Sequence, residues 1–304
     1  MTLGELISMG EAIAGLPCSL VLSHCLREWL LEDVGRGDVT TDALMQSVAL
    51  REQRYEAIWR VKAPGVIVGL TVAAEVFRLI DPHLQVTFEA NDGDWCESGT
   101  TVLRLNGSLQ ALLTGERTAL NLAMRLSGIA TMTRSYVGAI ADLPARLVDT
   151  RKTTPGLRVL EKYASRLGGA INHRLGLDDA VMLKDNHIAA AGGIGQAIAL
   201  VRAHSPFPLT IEVETETLDM VAEAIEHKAA IIMLDNMPLE MMRTAVQMIR
   251  EASDHIQIEA SGNVTLETIR AIAETGVDYI SSSAPITRSP WLDLSMRIVT
   301  SHVR

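Results

Sequence analysis

The stretch Ile231-Ile232-Met233-Leu234-Asp235-Asn236 shows the pattern that decides the fold of this chain. Its apolar run predicts a buried β-strand, and the polar residues directly after it mark the end of that strand. A helical pattern follows before the next apolar run begins at Ile256. Strands that are apolar along their whole length and alternate with helices are typical of a parallel sheet with both faces covered.

The same rhythm extends to both sides of this stretch. The other apolar runs with their polar ends are Leu147-Val148-Asp149-Thr150-Arg151-Lys152, Val181-Met182-Leu183-Lys184-Asp185-Asn186, Ile211-Glu212-Val213-Glu214, Ile256-Gln257-Ile258-Glu259-Ala260-Ser261-Gly262 and Tyr279-Ile280-Ser281-Ser282-Ser283. Six such units, spaced about 20 to 35 residues apart, favour an α/β fold with a parallel sheet. Because a complete barrel has eight units, we expect an irregular or incomplete α/β barrel. A doubly wound open sheet is the alternative.

The N-terminal part of the chain has a different texture. Leu22, Leu26 and Leu30 lie at helical spacing, which predicts an amphipathic helix before the glycines of residues 35–37. Residues 55–105 predict short strands around one helix over 72–80. We therefore expect an α+β region that carries few catalytic clusters, followed by a long helix from about residue 115.

Composition excludes several classes of function. The chain has 304 residues and a formal net charge of −10, which argues against nucleic-acid or anionic-membrane binding, since both need a broad basic field. The N-terminus lacks the basic region of a signal peptide, and no apolar run approaches the ~20 residues of a membrane span. Cys18, Cys25 and Cys96 match no metal or redox spacing, so free thiols in a reducing cytoplasm are expected.

Cationic side chains cluster after two neighbouring strands. Arg151 and Lys152 end one strand, His173 and Arg174 lie in the segment after it, and Lys184 ends the next strand. Since the carboxyl ends of parallel strands converge on one face, these five groups are expected to meet there. Guanidinium groups grip carboxylates with two parallel hydrogen bonds. The pattern predicts a ligand with two or more carboxylates, or with a carboxylate and a phosphate.

A simpler interpretation stays open for some of these cations. Arg151 and Arg174 would then form surface ion pairs with acids such as Glu161 or Asp178. A further set of cations recurs at helical spacing and is expected to line a solvated helix face. Its members are Arg158, Lys162 and Arg166.

The later strand ends are acidic and then small. Glu214 and Asp235 suit a divalent metal such as Mg²⁺ or the hydroxyls of a sugar, whereas no His/Cys cluster indicates zinc. The last two strand ends, Ser261-Gly262-Asn263 and Ser281-Ser282-Ser283-Ala284, have side chains small enough for backbone N–H groups to reach an anion. The order around the rim is therefore cations, carboxylates and a phosphate loop, which suits a sugar between a carboxylated ring and a phosphate.

Several blocks resemble the signature sequences of the quinolinate phosphoribosyltransferase family, also called nicotinate-nucleotide pyrophosphorylases (carboxylating). The resemblance runs from about residue 30 to 298, and its blocks are long, ordered and correctly spaced. These blocks are Gly115-Glu116-Arg117-Thr118-Ala119-Leu120-Asn121, Leu126-Ser127-Gly128-Ile129-Ala130-Thr131, Asp149-Thr150-Arg151-Lys152-Thr153-Thr154-Pro155-Gly156-Leu157-Arg158, Asn172-His173-Arg174-Leu175-Gly176-Leu177, Lys184-Asp185-Asn186-His187-Ile188 and Leu234-Asp235-Asn236.

The resemblance implies an architecture and a reaction. It implies an N-terminal α/β sandwich domain over 1–114, joined by a C-terminal helix over 291–304, and an irregular, open α/β barrel over 115–290 of the type II phosphoribosyltransferase kind. The implied reaction joins quinolinate to phosphoribosyl pyrophosphate with Mg²⁺, yielding nicotinate mononucleotide, pyrophosphate and CO2 in NAD biosynthesis. A cytoplasmic homodimer or higher oligomer is implied, in which Arg117 completes the neighbouring site.

The resemblance also implies roles for single residues. Lys152, Lys184, Glu214 and Asp235 would be catalytic, and Glu214 and Asp235 would hold the metal largely through substrate and water. The residues implied to bind quinolinate are Arg117, Arg151, Lys152, His173, Arg174 and Lys184. The residues implied around the 5-phosphate are Ser261, Gly262, Asn263, Ser282, Ser283 and Ala284.

One position departs from the family pattern. The family often reads Ser-Val-Gly-Ala-Leu-Thr where this chain has Ser281-Ser282-Ser283-Ala284-Pro285-Ile286, so Ser283 stands at a glycine position. A left-handed backbone there would strain a serine. If the backbone is not left-handed, the serine hydroxyl is an additional donor for phosphate.

Three other functions compete with this assignment. A relative encoded beside molybdate transporters shares the Thr-Arg-Lys and His-Arg-Leu-Gly-Leu blocks, but the intact blocks around Lys184 and Asp235 argue against it. A Schiff-base aldolase would use Lys184 as a nucleophile. A non-catalytic anion-binding relative is the remaining alternative, which the presence of every charged motif residue disfavours.

Overall fold

The computed structural model describes residues 19–299, which form two compact units. The first unit comprises residues up to 132 together with 159–168 and the segment from 289 onward, and the second comprises 133–158 and 169–288. Within the described residues, no helix is long and apolar enough to span a bilayer. The thiols of Cys25 and Cys96 are free, whereas Cys18 lies outside the described residues.

The first unit contains most of the N-terminal elements. Its helices and strands, in chain order, are α1 (Ser19–Val34), α2 (Val39–Leu44), α3 (Val48–Glu52), β1 (Arg54–Val61), β2 (Gly65–Val66), α4 (Leu70–Ile80), β3 (Gln85–Phe88), β4 (Trp95–Cys96), β5 (Thr101–Ser108) and the beginning of α5 (Leu109–Ala139), then α6 (Arg158–Leu167) and finally β12 (Leu294–Val299). The predicted N-terminal helix is confirmed, and it buries Leu22, Leu26 and Leu30 on one stripe.

A four-stranded antiparallel sheet in the order β12-β1-β5-β3 organises this unit. Trp59 of β1 is fully buried and meets Phe77 of α4 edge to face, with ring centroids 6.1 Å apart. Helix α5 is anchored to the loop after β2 because Ser127 Oγ exchanges hydrogen bonds with the backbone N–H and C=O of Val68.

The expected C-terminal helix over 291–304 is wrong for the residues that the structure describes. Leu294–Val299 is a strand that pairs antiparallel with β1, matching Leu294 to Val61 and Met296 to Trp59. Leu294 and Met296 are buried whereas the residues between and after them are more exposed, which is the period of two of a strand. The segment does join the N-terminal unit, but as the edge strand of its sheet.

The second unit contains the repeated strand–helix elements. They are β6 (Arg146–Val148), β7 (Val181–Leu183), α7 (Asp185–Ala191), α8 (Ile194–His204), β8 (Ile211–Thr215), α9 (Leu218–Glu226), β9 (Ile231–Asp235), α10 (Leu239–Ala252), β10 (Gln257–Ser261), α11 (Ile269–Ala273), β11 (Tyr279–Ser281) and α12 (Ala284–Thr287). All six predicted strands are present.

These six strands form one parallel sheet in the order β6-β11-β10-β9-β8-β7. From β7 to β11 each strand lies beside its neighbour in sequence, and β6 then closes onto β11. That is the winding of a barrel, and it lacks the reversal of strand order that defines a doubly wound sheet. On the side of β6 away from β11, the only strand pairing among the described residues is a single parallel bridge between Val148 and Ile171. Strands β6 and β7 do not pair, so the barrel is open between them.

The boundary between the units lies inside helix α5, after residue 132, and not before residue 115 as expected. Packing explains the difference. Gly115 has no room for a side chain because Phe77 lies against it, and Gly128 lies against the carbonyl of Pro290. The first part of α5 therefore belongs to the N-terminal core, which no periodicity in the helix itself reveals.

Helix α6 corrects the expectation of a solvated cationic face. Glu161 and Lys162 are both buried, and Arg166 alone of the three expected cations is exposed. Glu161 accepts two hydrogen bonds from the Arg125 guanidinium, the shorter at 2.8 Å. A buried charge of this kind is stable only when it is paired, and a partner distant in sequence cannot be read from helical spacing.

The close approach of Gly128 to Pro290 predicts a large loss of stability for Gly128→Ala. A methyl group there would overlap the Pro290 carbonyl oxygen, which is backbone and cannot rotate away. We expect a loss of about 1–3 kcal/mol or more in the free energy of unfolding, measured by urea denaturation. Gly138→Ala, in the same helix but in open space, should instead stabilise by up to about 1 kcal/mol. Equal effects of the two substitutions would contradict this packing.

Candidate active site

A pocket of about 740 Å³ opens at the carboxyl ends of the parallel strands of the second unit. The strand register brings these ends together, since Asp235 pairs with Ser261 and Ser281 pairs with Val148. The lining residues are Thr150, Arg151, Lys152, His173, Arg174, Met182, Lys184, Glu214, Met233, Asp235, Asn236, Glu259, Ser261, Gly262, Asn263, Val264, Thr265, Ser281, Ser282, Ser283, Ala284, Thr287 and Arg288.

One wall of the pocket carries three cations that form no salt bridge with any acid in the described part of the chain. Within residues 19–299, Arg151, Lys152 and Arg174 form no salt bridge, and Glu161 is paired with Arg125 instead. Burial lowers the pKa of Arg174, and the nearby Arg151 lowers it further, although an arginine stays charged. Because like charges held together in a partly buried site are unfavourable, this wall is suited to an anionic ligand. The simple surface ion pairs considered for Arg151 and Arg174 are not formed.

Lys184 and Glu214 form an ion pair across the ends of β7 and β8. The Lys184 Nζ lies 2.5 Å from Glu214 Oε2, and both side chains line the pocket. An ammonium group that donates to a carboxylate at this distance is not the free amine that a Schiff-base aldolase requires. The pair places one positive and one negative group where the cationic wall meets the acidic strand ends.

Asparagines shape the rim beside Asp235. Asn236 has φ +54° and donates from Nδ2 to Asp235 Oδ2 at 2.7 Å, while its Oδ1 accepts from Asn263 Nδ2 at 3.1 Å. Asparagine tolerates this left-handed backbone better than most residues. Gly262 has φ +99°, and a side chain there would collide with Asn236. The Asp235 carboxylate is therefore held by a loop that needs a glycine on the neighbouring strand end.

The small-residue loops that line the pocket contain backbone donors without an acceptor. In the described part of the chain, the N–H groups of Gly262, Asn263 and Ser283 have no protein acceptor. Ser283 has φ −87° and ψ −16°, so the serine at the family's glycine position is unstrained. The Ser282 hydroxyl instead accepts from Ala284 N at 3.3 Å, which stabilises the loop itself. Unpaired N–H groups in two adjacent loops can bind a phosphate.

A buried cluster of His173, Glu212 and Glu259 lies next to the cationic wall. His173 Nε2 is 3.3 Å from Glu212 Oε2 and 3.4 Å from Glu259 Oε2, and the two glutamate side chains are only 4% exposed. His173 Nδ1 accepts from the backbone N–H of Arg174 at 2.8 Å. Both ring nitrogens are thus engaged within the protein, so a direct bond from His173 to a ligand would require one of them to break.

The protons of this cluster are shared. Burial would lower the pKa of His173, but the hydrogen bonds that Nε2–H donates to the carboxylates of Glu212 and Glu259 outweigh burial and raise that pKa. Burial raises the pKa of Glu212, and the charge of Glu259 adds to the rise. The raised pKa of His173 would favour a second ring proton on Nδ1, but Nδ1 already accepts from the backbone N–H of Arg174. The ring therefore carries one proton, on Nε2.

Two sets of side chains offer donor atoms to a metal. In the first set, Asp235 fits a hard divalent cation better than Glu214, because the charge of Glu214 is already paired with the Lys184 ammonium whereas Asp235 Oδ2 accepts only from the neutral amide of Asn236. The donor atoms of His173, Glu212 and Glu259 lie within 4.8 Å of one another and form the second set.

The structure gathers nearly all of the predicted site residues. Arg117 is the exception within this chain: it is exposed on α5 in the first unit and is not among the residues that line the pocket. Sequence reasoning missed Asn236 as a positioning group, as well as Glu259 and Arg288. A signal for the buried acids was present, because Glu212 and Glu259 each lie two residues before a site residue and so point to the same face of their strands.

Comparisons with known proteins agree with this geometry. The model of the quinolinate phosphoribosyl transferase N-terminal domain matches residues 38–127, and that of the C-terminal domain matches residues 129–297. A probable nicotinate-nucleotide pyrophosphorylase (carboxylating) from Synechocystis is 60% identical over 93% of this chain and 95% of its own length. Its counterpart from Bacillus subtilis is 43% identical over the same shares.

Solved structures give the same result. The NadC structure from Streptococcus pyogenes superposes with a TM-score of 0.86 at 42% identity, covering 92% of this chain and 97% of that one. The nicotinate-nucleotide pyrophosphorylase from Francisella tularensis also gives 0.86, at 36% identity, over 94% and 98% of the two chains. With both domain models matched in order, and with relatives aligned over almost the whole length, this chain belongs to the quinolinate phosphoribosyltransferase family.

Proposed function

We propose that this protein is a decarboxylating quinolinate phosphoribosyltransferase, which converts quinolinate and phosphoribosyl pyrophosphate into nicotinate mononucleotide, pyrophosphate and CO2 in NAD biosynthesis. The observation that carries the proposal is a single pocket that combines cations without a salt bridge, at Arg151, Lys152 and Arg174, with two loops whose N–H groups have no acceptor in the described part of the chain. A pyridine dicarboxylate and a sugar phosphate together match those two ends. Membership in the family and the names of its relatives support the same reaction.

The pyridine dicarboxylate binds at the cationic wall. Arg151 and Arg174 each offer a planar fork for one carboxylate, and Lys152 adds a compact charge toward the middle of the pocket. These side chains orient the ring and carry no protons, since arginine does not deprotonate at usable pH. Their mutual repulsion in the free protein disappears when the dianion binds, which favours a ligand with two carboxylates over one.

The sugar phosphate extends from the acidic strand ends to the two loops. Glu214 and Asp235 accept hydrogen bonds from the ribose hydroxyls, and the N–H groups of Gly262, Asn263 and Ser283 receive the 5-phosphate. Arg288, at the end of α12, also lines the pocket and supplies a positive charge for the phosphate.

In the proposed reaction, Asp235 and Glu214 would hold a magnesium ion. When bound, it neutralises the leaving pyrophosphate. The residues of the chain do the remaining work. As the bond from the anomeric carbon to pyrophosphate breaks, positive charge develops at that carbon, and the carboxylates of Glu214 and Asp235 stabilise it electrostatically.

The pyridine nitrogen then forms the new bond to the anomeric carbon. The resulting pyridinium draws electrons from the adjacent carboxylate and the carbon–carbon bond breaks. CO2 leaves, the bonding electron pair stays on the ring carbon, and that carbon takes a proton from solvent to give nicotinate mononucleotide. Arg151, Arg174 and Lys152 hold the ring in line for the first step and neutralise the carboxylate that remains.

We further propose that the active protein is a homodimer or a higher oligomer in which Arg117 reaches the neighbouring site. Its exposed position on α5 leaves it available for a second copy of the chain. The free thiols of Cys25 and Cys96 support a reducing compartment, and we place the protein in the cytoplasm.

The central prediction is product formation. Purified protein mixed with quinolinate, phosphoribosyl pyrophosphate and Mg²⁺ should release nicotinate mononucleotide, pyrophosphate and CO2, detected by chromatography and by ¹⁴CO2 from labelled substrate. Nicotinate in place of quinolinate should react poorly, because one of the paired arginines then lacks its carboxylate. Absence of product, or equal use of nicotinate, would refute the proposal.

Arg174 should act in binding of the dicarboxylate. Arg174→Ala should raise the KM for quinolinate by about 10- to 100-fold, matching the roughly 1.5–3 kcal/mol of a charged hydrogen bond, with a much smaller change in the KM for phosphoribosyl pyrophosphate. Arg174→Lys should recover only part of the loss, since lysine keeps the charge without the fork. A wild-type KM in Arg174→Ala, from steady-state kinetics, would exclude this role.

Gly262 should matter for the sugar phosphate. Gly262→Ala forces the methyl group against Asn236 and so displaces the groups that hold Asp235. We expect the KM for phosphoribosyl pyrophosphate to rise about tenfold or more. Gly276→Ala is the matched control, because Gly276 has a similar φ of +94° but lies outside the pocket lining. That variant should lose about 1 kcal/mol of stability and keep its activity. Similar kinetics in both variants would contradict the proposed loop geometry.

A further inference from the structure

We propose that Glu212 and Glu259 are positioning residues for Arg174, and that they act through the imidazole of His173. In this arrangement His173 is a link inside the protein and not a direct ligand of the substrate. The inference rests on the proposed function of Arg174 as a ligand of the dicarboxylate. It assigns a role to two buried acids on β8 and β10 that the proposed reaction does not otherwise use.

The chain of contacts is continuous. Each glutamate places its Oε2 beside His173 Nε2, and the opposite nitrogen of the same ring accepts from the backbone N–H of Arg174. The backbone N–H of His173 donates to Asp149 Oδ1 at 2.8 Å. The turn that carries Arg174 is therefore bound, directly or through the His173 ring, to carboxylates on three separate segments of the barrel.

Arg174 is fixed at its other end as well. Its Nη1 donates to the carbonyl of Ala180 at 2.7 Å, which uses one of the five guanidinium N–H groups. The backbone contact to His173 and this side-chain contact together set the direction of the guanidinium. Because recognition of a carboxylate by a planar fork depends on angle as well as distance, releasing either contact should weaken binding.

The two glutamates are costly to the fold, which argues that they serve function. Glu212 Oε1 and Glu259 Oε1 are buried and have no hydrogen-bond partner in the described part of the chain. Buried carboxylates with an unsatisfied oxygen reduce stability, and apolar residues of similar size would pack at lower cost. The buried residues next to these acids in β8 and β10, such as Val213 and Ile258, are apolar.

The arrangement of bonds also specifies a tautomer. A ring nitrogen that accepts from an N–H carries no proton, so His173 holds its proton on Nε2, between the two carboxylates. A divalent cation is the competing occupant, since the three donor atoms lie close enough to bind one. A bound cation would remove the Nε2 proton, so the two arrangements differ in a measurable way.

The first experiment reads the tautomer directly in the wild-type protein. Histidine labelled with ¹⁵N gives distinct shifts for the Nε2–H tautomer, the Nδ1–H tautomer, the imidazolium and a metal-bound ring, and His173 is assigned by the signal missing in His173→Phe. We expect the Nε2–H pattern at neutral pH and no stoichiometric metal by elemental analysis. An imidazolium pattern, or one equivalent of metal lost on replacing Glu259, would overturn the inference. This readout needs no substrate, so failure of the proposed activity would not decide it.

The second experiment tests the coupling to Arg174 with a mutant cycle. Two variants are compared: His173→Phe, and a double variant that combines Glu212→Leu with Glu259→Leu. Each should raise the KM for quinolinate by about tenfold or more and leave the KM for phosphoribosyl pyrophosphate within about twofold of wild type. Combining all three changes should cost no more than His173→Phe alone, because both remove the same link. Additive losses in KM would overturn the inference. A normal KM for quinolinate in the double leucine variant would also overturn it, because a direct ligand role for His173 would leave that variant unaffected.

Conservative variants separate positioning from general damage to the fold. Glu212→Gln and Glu259→Gln keep an oxygen that can accept from Nε2–H, so each should retain a quinolinate KM within a few-fold of wild type. Glu161→Gln is the matched control, because Glu161 is buried and paired with Arg125 outside the pocket lining. It should lower the melting temperature without changing the KM for quinolinate. If Glu161→Gln raised the KM for quinolinate as much as the double leucine variant does, the effect would not be specific to the cluster.

Discussion

The pocket depends on one constraint, the parallel hydrogen bonding within the sheet formed by the six strands from β6 through β11. Parallel register brings the carboxyl ends of neighbouring strands to one rim, so that Asp235 lies directly beside Ser261 and Ser281 beside Val148. The residues that leave those ends share a single space even though they are separated by more than a hundred positions in the chain. The chemical roles of the residues that line the pocket follow from that convergence.

Charge is layered within the second unit. Cations that form no salt bridge lie in the pocket at Arg151, Lys152 and Arg174, while Glu212 and Glu259 are buried. Three acids of the same site are paired with other groups: Glu214 with Lys184, and the two buried glutamates with His173. A protein with a net charge of −10 thus keeps a local site for anions, because the acids that could neutralise it are held by other partners.

Left-handed backbone and close glycine contacts occur at several positions that shape this site or its support. Asn236, Gly262 and Asn263 adopt left-handed backbone conformations around the Asp235 carboxylate. Ser283 does not, which explains how this chain accommodates a serine where the family often has glycine. In the first unit, glycines of helix α5 permit contacts with Phe77 and Pro290 that place that half of the helix in the N-terminal core.

The sequence alone determined the strand rhythm, the polar strand ends and the segregation of cations, acids and small residues, because strand periodicity and residue chemistry are local properties. Tertiary structure alone decided that α5 is divided between the units, that residues 294–299 complete a sheet begun at residue 54, and that Lys162 is buried. It also decided that both nitrogens of His173 are engaged inside the protein. Those outcomes depend on contacts with residues distant in the chain, and the residue pattern of one segment does not show which other segment packs against it.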